Sequence, residues 1–254
     1  MAEAALAPVL SVHRLAKSFD GVQAVREATF AVSAGELVAL IGPNGAGKTT
    51  CFNCINGQLR PDAGRVVLAG TDITGRPPRD IALAGVGRTF QVAATFASMT
   101  VRENVDLALL SHAGRVQAFD AIAASTRPAQ TDALLHRAGI AALAERHAAT
   151  LPYGEAKRVE LALALAGNPK LLLMDEPTAG MAPADRGALM AAAADLARHD
   201  RVAVLFTEHD MDVVFGHADR VIVLDRGIII AEGTPDAIRG DARVQAVYLG
   251  AATH

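Results

Sequence analysis

The sequence has few cysteines, few aromatic residues and no excess of basic charge. Its 254 residues include only two cysteines and no tryptophan, and 4% of the residues are aromatic. The formal net charge is −3, so the chain has no basic excess that would attract the phosphate backbone of a nucleic acid. Nucleic acid is therefore not an expected partner.

Long hydrophobic runs are also missing. Residues 1–10 include Glu3 and show no basic segment followed by a sustained apolar one, which argues against a secretory signal. No stretch approaches 18 uninterrupted apolar residues, and even residues 161–167 are followed at once by Asn168-Pro169-Lys170. We expect a cytoplasmic chain that does not itself span a membrane.

A glycine-rich segment is the most specific motif in the chain. The apolar residues 37–41 before it predict a buried parallel strand, and a helix is expected from about Gly47. In such a loop the backbone N–H groups and the helix N-terminus cradle phosphates, Lys48 reaches the β and γ phosphates, and the Thr49 hydroxyl ligates Mg²⁺. We predict a nucleoside triphosphate site rather than a turn that binds nothing. The segment matches G-x-x-x-x-G-K-[ST] and reads Gly42, Pro43, Asn44, Gly45, Ala46, Gly47, Lys48, Thr49, Thr50.

Cys51 and Cys54 are spaced as C-x-x-C, which could indicate a redox pair or half of a zinc site. No second Cys or His pair is placed to complete a metal site. Because the two residues fall one turn apart in the helix after the phosphate loop, we favour buried apolar packing.

Apolar runs and turn signals predict an α/β fold. Antiparallel strands are expected at residues 9–19 and 28–32, and a third strand at 65–69. The alanine- and leucine-rich residues 101–149 predict helices inserted into the core. Strands and helices then alternate, as in a mostly parallel sheet, before a final hairpin and helix. The expected elements are helices 154–166, 184–198 and 210–215, strands 171–174 and 202–206, a hairpin of 221–224 with 228–231, and a helix capped by Thr234-Pro235.

Two carboxylates, Asp175 and Glu176, end the apolar strand expected at 171–174. Charges are costly inside an apolar strand, whereas the C-terminal ends of parallel strands are where ligands bind. We expect Asp175 to hold Mg²⁺, directly or through water, and Glu176 to orient the water that attacks the γ-phosphate. A helix-capping cluster before Pro177 is the alternative.

With these motifs in this order, residues 9–250 resemble the ATP-binding subunit of an ABC transporter. The resemblance implies a P-loop NTPase core with a mostly parallel sheet, an N-terminal antiparallel β-subdomain and an inserted α-helical subdomain. It implies one domain, with residues 9–100 and 168–250 forming the core and β-subdomain and residues 101–167 the helical subdomain. ATP and Mg²⁺ are the implied cofactors.

The resemblance also assigns roles to individual residues. It implies that Phe19 stacks on adenine, that Gln91 contacts Mg²⁺ and water near a membrane partner, and that His209 contacts the γ-phosphate. The family's signature motif, which touches ATP bound to a second subunit, falls on the run Leu151, Pro152, Tyr153, Gly154, Glu155.

This signature departs from the common family pattern. Pro152 stands where Ser is common and has neither a hydroxyl nor a backbone N–H. Glu155 replaces a commoner neutral Gln, which adds an acidic group near polyphosphate unless it is paired elsewhere, and Ala182 stands where many relatives carry Asp. The nucleotide-binding half looks complete and the signature half weakened, so we favour a heterodimer, with a homodimer left open.

Within the superfamily, residues 88–91, 208–211, 231–235 and 247–250, together with Tyr153, resemble the branched-chain amino acid importers. This implies two different ATPase subunits, two permease subunits and an external solute-binding protein, with this chain at the cytoplasmic face of the inner (plasma) membrane. The alternatives are a lipopolysaccharide-export ATPase, a soluble ABC ATPase clamp acting on ribosome or DNA, and a P-loop small-molecule kinase.

Overall fold

Two sheets organise the fold in the computed structural model, which describes residues 8–89, 95–113 and 128–250. The first sheet is antiparallel and has the strand order β2-β1-β4-β5. Its turns carry residues with positive φ, including Asp20 and Gly21 between the first two strands. The strands are β1 (Leu10–Phe19), β2 (Val22–Val32), β4 (Ala63–Leu68) and β5 (Thr71–Asp72).

The second sheet is parallel except for one edge strand. Its order is β10-β9-β3-β8-β7-β6, and only β10 runs antiparallel, in a hairpin with β9. The adjacent interior strands β3, β8 and β7 are buried along their whole length, as their apolar runs predict. The strands are β3 (Leu37–Ile41), β6 (Val86–Thr89), β7 (Leu171–Asp175), β8 (Ala203–Thr207), β9 (Arg220–Asp225) and β10 (Ile228–Gly233).

Helices cover the parallel sheet and extend from it. Thr100 and Glu103 form a reciprocal capping box at the start of one helix, and the Thr234 side chain caps another, as its sequence predicts. Among the described residues, no helix combines the length and apolarity needed to cross a bilayer. The helices are α1 (Lys48–Ile55), α2 (Pro78–Ala84), α3 (Val101–His112), α4 (Pro128–Arg137), α5 (Tyr153–Leu165), α6 (Pro183–Asp200), α7 (Met211–His217), α8 (Pro235–Gly240) and α9 (Ala242–Gly250).

Strand β3 shows how the core is divided. Leu37, Ala39 and Ile41 belong to a cluster that includes residues of α5 and α6, whereas Val38 and Leu40 belong to a cluster with α1 and the antiparallel sheet. Successive side chains of a strand point to opposite faces, so one strand serves both clusters. The parallel sheet is therefore covered on both faces, and ligands can reach it only at its ends.

The sequence prediction lacks the short strand β5 and helix α2, and it also differs from the structure at two strands closer to the site. Strand β2 begins at Val22 rather than at residue 28, because an edge strand with an irregular register admits exposed polar residues such as Gln23 and Arg26. Strand β6 is absent from the prediction, since its four residues include Gly87 and Arg88 and show no apolar run. Tertiary packing explains it: a Cβ on Gly87 would lie 2.6 Å from the Ala164 carbonyl oxygen in α5.

Candidate functional site

The glycine-rich loop connects β3 to α1, as predicted, and it lies close to other backbone. A Cβ on Gly42 would come within 2.0 Å of the Leu224 carbonyl oxygen, and one on Gly47 within 2.2 Å of the Ala24 carbonyl oxygen. Gly47 also caps α1 with a φ of 105°, which side chains rarely adopt. The loop is therefore fixed in place by the strands behind it, and its amides and the start of α1 form a preorganised anion site.

Lys48 is the first residue of α1 and is 6% exposed. Its Nζ donates to the Gly42 carbonyl oxygen at 2.7 Å and to that of Pro43 at 3.2 Å. Burial lowers the pKa of Lys48, and the charges of Glu176 and Asp175 oppose that shift. The ammonium is thus held within the loop and is electrostatically coupled to both carboxylates.

Asp175 ends β7 and is 6% exposed. The Thr207 hydroxyl donates to its Oδ1 at 2.7 Å, and Arg88 Nη2 lies 3.3 Å from its Oδ2. These contacts come from the two neighbouring strands, β8 and β6, and they orient a carboxylate at the C-terminal edge of the sheet. This edge is where open α/β sheets bind ligands.

The next carboxylate, Glu176, lies on a strained backbone. Its φ is +48°, unusual for a residue with a side chain, and its N–H donates to the Thr207 Oγ1 at 3.0 Å and to the Thr207 carbonyl oxygen at 3.1 Å. His209 Nε2 lies 2.8 Å from the Glu176 Oε1. Because an ionised carboxylate only accepts hydrogen bonds, the imidazole in this contact carries its proton on Nε2. The structure thus brings together the two residues that the sequence places 33 positions apart.

The donor set suits Mg²⁺. The ion usually takes one or two carboxylates together with substrate phosphates and waters, rather than a dedicated protein cage. Among the described residues there is no group of three or more His, Cys, Asp or Glu that could hold a metal alone. Mg²⁺ bound mainly by phosphates and water needs only a few protein ligands. The buried carboxylate of Asp175 and the hydroxyl of Thr49, in α1 after the phosphate loop, fit that need.

Phe19 lies at the end of β1 and is 42% exposed. Lys17 Nζ is 5.5 Å from the centre of its ring and also 2.8 Å from Asp62 Oδ1. An exposed aromatic face next to a cation is available for stacking on a flat ligand. With this exposure, Phe19 is not a core residue.

The signature segment starts α5, on different elements from the phosphate loop. Pro152 caps that helix without a side-chain hydrogen bond, and Tyr153 is 47% exposed. Gly154 is buried, and a Cβ there would lie within 2.6 Å of the Asp185 carboxylate at the start of α6. Leu151 is half-buried and packs against the core.

Glu155 has a basic partner. Arg146 Nη1 lies 3.0 Å from the Glu155 Oε2, and Arg146 Nη2 donates to the Thr150 carbonyl oxygen at 3.0 Å. The acidic substitution in the signature is therefore paired within the chain. Pro152 has no such compensation in its contacts, since a missing hydroxyl and N–H cannot be restored by a neighbour.

The remaining predicted residues are Gln91 and the two cysteines. Gln91 lies outside the described residues. Cys51 and Cys54 are buried free thiols, so the prediction of apolar packing is confirmed. Two residues absent from the sequence prediction of the site also shape it. The Thr207 hydroxyl donates to the Asp175 carboxylate and accepts from the Glu176 backbone N–H, and Arg88 contacts Asp175. A polar residue ending a buried strand, as Thr207 does, is the signal that could have found it.

Comparisons with known proteins identify the family of the chain. The ABC transporter family model matches residues 25–179, and a second model, of branched-chain amino acid ATP-binding cassette transporters, matches residues 229–254. The high-affinity branched-chain amino acid transport ATP-binding protein LivG of Escherichia coli K12 is 39% identical, over 96% of this chain and 99% of its own length. The lipopolysaccharide export system ATP-binding protein LptB of Haemophilus influenzae is 36% identical, over 95% and 97%.

A solved structure extends the agreement to three dimensions. The ADP conformation of an ATP-binding cassette of an ABC transporter superposes with a TM-score of 0.83, at 30% identity, over 96% of this chain and 99% of the other. The α/β P-loop NTPase fold expected from the sequence is thereby confirmed. On this fold and these matches, the chain belongs to the ABC transporter family and is an ATPase of that family.

Proposed function

We propose that this chain is the ATP-hydrolysing subunit of an importer for branched-chain amino acids or related small solutes. Two observations support the two halves of the proposal. The 2.8 Å contact between His209 and Glu176, beside the phosphate loop lysine, supports the chemistry. The C-terminal match at residues 229–254 supports the cargo class, because 39% and 36% identity alone barely separate an importer from an exporter.

The proposal assigns each residue a task. Backbone N–H groups of the phosphate loop, which Pro43 lacks, and the Lys48 ammonium bind the phosphates, and Phe19 stacks on adenine. Thr49 and Asp175, with Gln91, would hold Mg²⁺, which would neutralise charge on the phosphates. Glu176 orients and deprotonates the attacking water. His209 holds that carboxylate and contacts the γ-phosphate.

The assembly follows from the same assignment. Two ATPase subunits pair so that each site joins one phosphate loop to the other subunit's residues 151–155. The two ATPase subunits close around ATP and open after hydrolysis, and this movement shifts two attached permeases between their two states. ATP favours closure because it binds the closed form more tightly than the open form. The chain binds at the cytoplasmic face through those permeases, and an external binding protein delivers the solute. We take it as one domain, with residues 101–167 as its helical subdomain.

A heterodimer remains our preference, because Pro152 still lacks the hydroxyl and N–H of the commoner residue. The paired state of Glu155 reduces the asymmetry that first suggested it. The experiment mutates the catalytic glutamate in one ATPase subunit at a time in the assembled transporter. Unequal residual ATP turnover supports the heterodimer, and equal turnover at both sites overturns it.

The decisive test of the activity uses the chain purified with its membrane subunits and reconstituted with its external binding protein. Glu176→Gln should keep Mg²⁺-dependent ATP binding and lose about 10²- to 10⁴-fold in turnover, as expected for a positioned base. Asp219→Asn is a matched control, because that carboxylate accepts from the Leu37 N–H at the opposite end of the sheet. If Glu176→Gln kept most of its turnover, Glu176 would not be the base.

The cargo is tested in the same vesicles. ATP-driven accumulation of radiolabelled leucine, isoleucine or valine supports the importer. Extraction of lipopolysaccharide from the bilayer without amino acid uptake would support the exporter represented by LptB. Uptake only of amides, urea or aromatic acids would keep the importer and change its solute.

A further inference from the structure

Glu208 is a buried carboxylate beside the site whose contacts the assignment above does not use. It is 3% exposed and precedes His209 directly. Its Oε1 accepts from the Thr178 N–H at 2.9 Å and from the Thr178 hydroxyl at 2.5 Å, and its Oε2 accepts from the His209 N–H at 3.0 Å. The two oxygens of one side chain thus bind two different segments of the chain.

The chemistry of these donors requires a carboxylate. Two of the three groups are backbone N–H groups, which can only donate, and they lie on opposite oxygens of Glu208. A glutamine of the same shape has one accepting oxygen and one donating NH₂ group. The glutamine oxygen could accept from Thr178 or from the His209 N–H, but not from both. On the remaining side its NH₂ group would face a buried N–H, so two donors would oppose each other.

Neighbouring contacts join the same two segments at their ends. Thr207 accepts from the Glu176 N–H at one end. At the other end, Arg186 donates to the Met181 carbonyl oxygen at 2.8 Å and to Asp210 Oδ2 at 2.5 Å. The Glu208 carboxylate lies between these two contacts in sequence and is the most buried of the connecting acidic groups.

We propose that Glu208 is a positioning residue that joins residues 176–181 to residues 207–210 as one unit, and thereby holds the His209 imidazole against Glu176. The inference rests on the proposed catalytic roles of Glu176 and His209. In this role Glu208 acts through other residues of the chain and not on the nucleotide itself. It fixes the His209 backbone directly and the segment after Glu176 through Thr178.

The unit formed by residues 176–181 and 207–210 also lies next to the signature segment, residues 151–155. A Cβ on Gly180 would lie 3.7 Å from the Tyr153 ring, so residues 176–181 border the segment that contacts the second subunit's ATP in the proposed dimer. A displacement of that segment is transmitted to His209 through Glu208. The carboxylate thus connects the signature side of the chain to its own reacting groups.

The test is a set of single and double variants of the transporter, purified with its membrane subunits. Glu208→Gln is expected to lower kcat for ATP about 10- to 100-fold with KM for ATP unchanged, because misplacing a catalytic group by about 1 Å costs up to that factor. Thr178→Val, which removes only the hydroxyl, should lower kcat in the same direction by less. Thr178→Ser keeps the hydroxyl and should therefore keep the parental kcat.

A double-variant cycle distinguishes positioning from general stability. In the His209→Ala background, single-turnover hydrolysis should be the same with Glu208→Gln as without it, because Glu208 acts through His209. Asp219→Asn again reports the effect of changing a carboxylate to an amide elsewhere. If Glu208→Gln fails to fold, the Thr178→Val and Thr178→Ser pair carries the same test.

Two results would overturn the inference. One is parental kcat in both Glu208→Gln and Thr178→Val. The other is an equal fold-loss from Glu208→Gln with and without His209, accompanied by a lower melting temperature, which would show a purely structural role. Failure of the proposed function looks different, since the parent would then lack hydrolysis or Glu176→Gln would retain it.

Discussion

Replacing Gly47 with alanine should weaken nucleotide binding through a steric clash, without removing any group that touches the ligand. The added Cβ would lie 2.2 Å from the Ala24 carbonyl oxygen, whereas real Cβ contacts below 3.0 Å are essentially absent. Ala24 lies in β2 between residues paired with β1, so that oxygen cannot rotate away as a side chain would. The loop must therefore move by about 0.8 Å.

The magnitude follows from hydrogen-bond geometry. A shift of that size lengthens an N–H to phosphate bond from about 2.9 Å to about 3.7 Å, beyond the hydrogen-bond range. One lost hydrogen bond to a charged group corresponds to about 1.5–3 kcal/mol. Gly47→Ala should thus weaken ATP affinity by about 10- to 150-fold. The left-handed backbone, with φ at 105°, adds about 1–2 kcal/mol of lost folding stability.

The assay compares this variant with a matched glycine. Gly70 has a φ of +81° and nothing within 4 Å of an added Cβ, so Gly70→Ala carries the backbone strain without the clash. ATP affinity is measured calorimetrically with Mg²⁺ in the Glu176→Gln background, and stability by urea unfolding. Gly70→Ala should lose stability and keep affinity. Parental affinity in Gly47→Ala, or an equal loss in Gly70→Ala, would refute the reasoning.

Two further predictions concern the signature and the thiols. Arg146→Ala should lower ATP turnover up to about fivefold by leaving Glu155 without its half-exposed partner, and Glu155→Gln should remove that effect; a loss that persists in the Gln variant would contradict the pairing. Burial raises the pKa of Cys51 to about 12 and that of Cys54 to about 11, so at pH 8 their thiolate fractions are only about 10⁻⁴ and 10⁻³. Iodoacetamide at pH 8 should modify neither residue in the folded chain and both in urea, as intact mass would report; rapid labelling of the folded chain would contradict their burial.

Local patterns account for much of what could be read in advance. Strands β3, β7 and β8 are recognisable by their apolar runs, because both faces of a parallel sheet are buried. The phosphate loop is equally local, because its glycines, its lysine and the following helix are contiguous in the chain. Strand β6 was not recognisable, since its structure depends on pairing with β7 and on the close approach of α5 to Gly87.

The sequence does not show which charged residues pair with each other in space. Glu155 and Arg146 are nine residues apart, and nothing in their spacing distinguishes a paired acid from one aimed at polyphosphate. Glu208 likewise reads as one more polar residue after a strand. Its partner Thr178 lies 30 positions away, on a neighbouring segment.

The amino-acid sequence by itself determined the ligand class and the fold family, because phosphate binding depends on a contiguous loop and the sheet on contiguous apolar runs. Only the tertiary structure decided which groups act together: the His209 ring contacts Glu176, the Thr207 hydroxyl joins the Asp175 carboxylate to the Glu176 N–H, and Glu208 connects two segments. The physical reason is that hydrogen bonds act over about 3 Å in space. Parallel strands bring their C-terminal ends side by side regardless of how much chain separates them.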